Sequence, residues 1–135
     1  MREFDKEKTP RIKIIQKLYS KALNPSEKIV YNKNQYKKFI KDVTEGTLER
    51  KELIEEIIEK SLKNDINLKR TDKLLKIIIY AACFELLYKH KNPKKVIIGE
   101  YLLASEFFLE KYFHLLFYIS EFWLCIPVIL QWIYS

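Results

Sequence analysis

Three lysines, Lys13, Lys17 and Lys21, recur at four-residue spacing in "TPRIKIIQKLYSKALNP". On a helix that spacing places them in one stripe, while Ile15, Leu18, Tyr19 and Ala22 fall on another face. The stripe has two readings: a solvated edge beside a core-facing surface, or a basic helix laid against phosphates. Single-stranded RNA is gripped by cations on its phosphates and by aromatic faces on its bases. The stripe and Tyr19 supply both kinds of group. A net charge of +7 over 135 residues points the same way, toward an acidic partner, although lysine-rich surfaces also serve solubility.

Other chemistries find little footing. Cys83 and Cys125 are far apart, and neither has a second Cys or a His at ligand spacing, so each reads as a small buried hydrophobe. His90 falls in a basic turn and His114 in an apolar tail. No glycine-rich phosphate loop, paired-carboxylate cleft or nucleophile motif appears. The reading is a binding protein rather than an enzyme, with no cofactor and no metal. "MREFDKEKTPR" carries no apolar signal region, which sets a cytoplasmic location as the expectation.

The elements that would position the stripe are helices. Gly occurs only at positions 46 and 99, and Lys, Ile, Leu and Glu dominate the body. Thr9 and Pro10 open the first helix as cap and first helical residue, and Asn24-Pro25 closes it. A second helix is predicted from about Asn34 to Thr47, with Tyr36, Phe39, Ile40 and Val43 inward and Gly46 at its C-terminal end. A third, "LERKELIEEIIEKSLK", turns Leu53, Ile54, Ile57, Ile58 and Leu62 inward. After "NDINLKRTD", with Thr71 or Asp72 as cap, "LLKIIIYAACFELLY" is apolar on nearly every side except Lys76 and Glu85, which predicts a central helix. Asn92-Pro93 repeats the cap-then-proline device before "KKVIIGEYLLASEFFLEK". The expected fold is an all-α bundle in one domain over 1–111.

Four blocks carry a resemblance: "RIKIIQKLYS", "FIKDVTEG", "IIIYAACFELLY" and "NPKKVIIGEYLLASEFF", in this order from about Arg11 to Phe108. Together they resemble the bacterial transcription antitermination factor NusB family. The resemblance implies two small helical subdomains packed together. It also implies binding to the boxA element of nascent ribosomal RNA with ribosomal protein NusE, within an RNA polymerase antitermination complex. Arg11 and Tyr19 match family positions associated with RNA, whereas Lys13 and Lys17 rest on charge alone. Glu85 matches the glutamate of a Tyr-Glu-Leu pattern, for which partner contact and a bridging role both stand open. Whether the protein forms a homodimer is also open.

The chain departs from the family pattern at several positions. Tyr80 stands where an Arg is usual, and Leu75 where an acidic residue faces NusE. Gly99 replaces an Asn, at roughly 1 kcal/mol relative to Ala in a helix interior. From Tyr112 onward nothing matches the usual last helix. "YFHLLFYISEFWLCIPVILQWIYS" holds one charged side chain, Glu121, and both tryptophans, Trp123 and Trp132. Three readings of 112–135 compete: a shifted reading frame, a C-terminal membrane anchor, or a divergent core helix broken at Pro127. The anchor reading supplies the rival function, a small helical protein held at the inner membrane. A second rival comes from RNA cytosine methyltransferases that carry a NusB-like domain, but these need a separate cofactor-binding domain for which 135 residues leave no room.

Overall fold

The computed structural model describes residues 9–61, 72–89 and 91–111. The apolar stretch 112–135, with its three readings, lies outside them, as do Leu62, Thr71, His90, His114 and Cys125. Five α-helices and no strand occur among the described residues: α1 Pro10–Leu23, α2 Lys37–Glu49, α3 Lys51–Ser61, α4 Lys73–Tyr88 and α5 Lys94–Lys111. The all-α expectation holds. None of these helices is long and apolar enough to cross a membrane.

α4 is the central wall, packed on α1, α2, α3 and α5. Its all-round apolarity is the cause, since a helix with no polar face must be covered on every side. Asp72 caps it by accepting from the backbone N–H of Leu74 at 3.2 Å. α1 touches α2, α4 and α5. It therefore buries Ile12 and Ile14 as well as the predicted Ile15 and Leu18. A single amphipathic stripe underestimates a helix with three neighbours. Tyr19 and Ala22 are partly buried against the same core.

α2 starts three residues later than predicted. The Asn34 side chain accepts from the Tyr36 backbone N–H at 2.9 Å, and Lys37 donates to the Asn34 carbonyl at 3.1 Å. This local turn competes with helix, and it leaves Tyr36 exposed rather than inward. On α3 only Ile54 and Ile58 are fully buried; Leu53 is exposed, because α3 packs chiefly on α4 along a narrow seam. At the start of α5, the Pro93 carbonyl accepts from Val96 and Ile97 at 3.0 and 3.1 Å. Pro93 itself therefore occupies the capping position, and Asn92 is released for another task.

The two glycines differ in kind. Gly46 is not a helix terminator: α2 runs on to Glu49, and a methyl at Gly46 would collide with the buried Phe84 ring of α4. Its small size lets the two helices approach. Gly99 lies inside α5 with nothing within 4 Å of where a methyl would stand. Gly99→Ala is therefore expected to stabilise the fold by about 0.8–1 kcal/mol through helix propensity. A urea midpoint that does not rise would show that close packing at Gly99 had been missed.

Candidate nucleic-acid interface

α1 brings the lysine stripe to one side of the bundle, and the connection between α1 and α2 folds back along it. Lys17 Nζ donates to the Val30 carbonyl at 2.6 Å, and Lys21 Nζ to the Glu27 carbonyl at 2.7 Å. Two of the three stripe lysines thus act as pins. The Tyr31 ring lies 5.3 Å from Lys17 Nζ, and its hydroxyl donates to Glu45 Oε1 on α2 at 2.8 Å. Burial and then repulsion from Lys13 lower the Lys17 pKa from its ordinary value.

Between α1, this connection and the first turn of α2 lies an open cavity of about 140 Å³. Its wall is Lys13, Lys17, Tyr31, Asn32, Lys33, Asn34, Lys37 and Ile40. Four ammonium groups and no carboxylate line it. Lys33, Lys37 and the Tyr31 ring were not anticipated from the sequence. The signal was present in "KIVYNKNQYKK", where basic and aromatic residues alternate, but no periodicity marked that stretch as lying beside the stripe.

Tyr19 sits elsewhere. Two residues on from Lys17, at 3.6 residues per turn, it lies on nearly the opposite side of α1. The structure therefore brings Lys13 and Lys17 together and separates Tyr19 from both; Tyr31 is the aromatic that accompanies them.

Arg11 and Glu85 meet inside the protein. Arg11 Nε donates to Glu85 Oε2, and Nη2 to Oε1, both at 2.9 Å. Glu85 is 0% exposed and the Arg11 side chain 11%. The Asn92 side-chain amide adds a longer contact to Glu85 Oε1, 3.4 Å. The Arg11 guanidinium also lies 5.3 Å from the Phe39 ring centroid and 5.9 Å from that of Tyr101. Burial alone would lower the Arg11 pKa, but the Glu85 hydrogen bonds and charge outweigh it, and the net direction is upward. Of the two roles open for Glu85, bridging is the one its geometry performs: α1, α4 and the turn into α5 converge on its carboxylate. Arg11 is committed to the same pair.

Tyr80 donates from its hydroxyl to Glu55 Oε1 on α3 at 2.9 Å. This hydrogen bond links α3 to α4. Leu75 is buried in α4, as is Cys83.

Burial, reinforced by the Glu55 hydrogen bond, raises the Tyr80 pKa, and burial with the Glu85 charge raises that of Tyr101. Both folded-state values lie above the unfolded value near 10. The stability these groups contribute is therefore complete below about pH 10 and is lost as pH climbs through the raised values, at up to about 1.4 kcal/mol per pH unit for each group. Unfolding free energy is expected to fall steeply above pH 10, and Tyr80→Phe and Tyr101→Phe each to flatten that fall. Identical slopes in wild type and both variants would exclude the mechanism.

The geometry defines a helical protein with a cation-lined concavity and a separate buried ion pair. Comparison with known proteins supplies the family. The NusB family model matches residues 3–113. A transcription antitermination protein NusB from Nitrobacter hamburgensis is 29% identical over 73 residues, covering 54% of this chain and 46% of the relative. Its counterpart from Caulobacter vibrioides is 31% identical over 72 residues, covering 53% and 48%, and that from Bradyrhizobium diazoefficiens 25% over 73 residues, covering 54% and 44%. This chain belongs to the NusB family. The matches span about half the length of these curated relatives. No solved structure gives a significant match.

Proposed function

We propose that this protein acts in transcription antitermination by binding boxA-type RNA of nascent ribosomal transcripts together with ribosomal protein NusE. The observation that carries the reading is the unopposed cationic face of a NusB-family chain. Among the described residues Lys13, Lys33 and Lys37 take part in no ion pair, so their charge is available to phosphates. Lys13 and Lys17 are the stripe residues assigned to this surface, with Lys17 also holding the connection in place. Arg11 contributes by fixing α1 against α4. Tyr19, on the other side of α1, serves the RNA only if the strand wraps around the helix.

Titration of a boxA-containing RNA, with a scrambled RNA as control, tests the proposal at several salt concentrations with and without NusE. Phosphate contacts release counterions, so the logarithm of affinity should fall linearly with the logarithm of salt, by about 0.7 per phosphate for a single strand. Preference for boxA and tightening by NusE are expected. Equal affinity for both RNAs, unaffected by NusE, would reject the antitermination reading.

A further inference from the structure

The cavity walled by Lys13, Lys17, Lys33 and Lys37 asks what a folded protein gains by gathering like charges. Three elements contribute them: α1, the α1–α2 connection and the first turn of α2. Glu45, which accepts from the Tyr31 hydroxyl, does not line the space. Lys37 and Lys38 open α2, whose first turn holds no acidic residue. That is the wrong sign for helix stability, since the N-terminal end of a helix is electropositive and favours carboxylates by about 0.3–1 kcal/mol each. The same arrangement has the right sign for binding an anion.

We propose that this cavity is a seat for one phosphate of a nucleic-acid backbone, held by Lys13, Lys33 and Lys37, with Lys17 as a partly desolvated fourth charge. The inference rests on the RNA-binding reading, which it deepens by naming where a backbone phosphate is fixed. The volume of about 140 Å³ is well above the ~10–15 Å³ that a single water requires, so a phosphate fits with water around it. The seat is also preformed. Lys17 pins Val30, Tyr31 is tied to α2 through Glu45, and Asn34 closes a turn onto Tyr36. These contacts hold the connection before any ligand arrives, which reduces the entropy lost on binding. An anion would relieve the mutual repulsion of Lys13 and Lys17 and the mismatch at the start of α2. Lys33 and Lys37 are exposed and without ion pairs, so changing them leaves the core intact.

The test compares Lys33→Glu/Lys37→Glu with Lys38→Glu/Lys41→Glu in the full chain. The second pair makes the same change in net charge on exposed lysines that do not line the cavity. Both variants should keep wild-type helix content and melt no lower than the wild type, since a glutamate in the first turn of α2 has the favourable sign. RNA affinity is expected to fall about tenfold or more in the first, with the salt slope reduced by about 0.7, and by less than about threefold in the second. Equal losses in both pairs, or no loss in the first, would overturn the seat while leaving RNA binding itself established. If the wild-type chain bound no RNA of any sequence, the underlying reading would fail by itself. Inorganic phosphate alone would then be titrated at low ionic strength against a chloride control, following the backbone amides by NMR. Saturable shifts confined to residues around the cavity, abolished by Lys33→Glu/Lys37→Glu, would support the seat with free phosphate as its source. Shifts no different from those with chloride would overturn it.

Discussion

Glu85→Ala is expected to remove about 3–5 kcal/mol of stability, because it strands the Arg11 guanidinium in a site that is almost entirely dry. Arg11→Ala should cost a similar amount by stranding the carboxylate, whose two oxygens accept from Nε and Nη2 at 2.9 Å. A loss of that size is a large part of the roughly 5–15 kcal/mol that holds a small domain together, so either variant is to be studied at low temperature or in a stabilising background such as Gly99→Ala. Arg11→Lys should not rescue, since an ammonium cannot reproduce the two-pronged contact. The informative variant is the double replacement Arg11→Met/Glu85→Met. With no charge left inside, it should be less destabilised than either Ala variant, the reverse of additivity. Urea unfolding measures all four, with an unchanged denaturant slope as the check that only stability has moved. Losses that simply add would show that the two side chains do not depend on each other.

The second large effect is at Phe84. Its ring is 5% exposed, lies 5.1 Å from the Tyr88 ring centroid, and fills the space over Gly46. Phe84→Ala should cost about 3–5 kcal/mol in lost burial and in the cavity left behind. Gly46→Ala attacks the same contact from the other side. Overpacking costs about 1–3 kcal/mol and helix propensity returns up to ~1 kcal/mol, so a net loss is expected in the wild-type background. In a Phe84→Leu background the new methyl has room, and the same substitution should become neutral or stabilising. A Gly46→Ala effect identical in both backgrounds would acquit the ring.

These two contacts also explain how α4 keeps its orientation. An apolar helix buried on all sides has no polar face to set its rotation, and hydrophobic burial is non-directional. The Arg11–Glu85 pair, the Tyr80–Glu55 hydrogen bond and the fit of Phe84 over Gly46 each admit one rotation only. At the C-terminal end of α4, Arg50 stacks 4.3 Å from the Tyr88 ring and Lys89 lies 3.7 Å from Asp42, both tying it to the α2 side. The Arg11–Glu85 pair also holds α1, and with it the lysines that face the proposed phosphate seat.

Much of this was legible in the chain itself. Local chemistry determines the helices: scarce glycine, proline at the first position of α1, Thr71 or Asp72 as a cap for α4, and apolar spacing that repeats with the helical turn. It also determines that α4 is central and that Lys13, Lys17 and Lys21 share a stripe, and the four ordered blocks carry the resemblance to the NusB family that the family-model match bears out. Tertiary structure decided what depends on residues far apart in sequence. Arg11 and Glu85 are 74 positions apart, and no periodicity tells a cation facing RNA from one facing a buried carboxylate. Gly46 reads as a helix end until Phe84 is seen above it. Lys33 and Lys37 read as solvated charge until the α1–α2 connection folds back beside Lys13 and Lys17. Helical periodicity reports which face is apolar; only the packed neighbours fix what each polar side chain meets, because charge and hydrogen bonding act over a few ångströms of space whatever the separation along the chain.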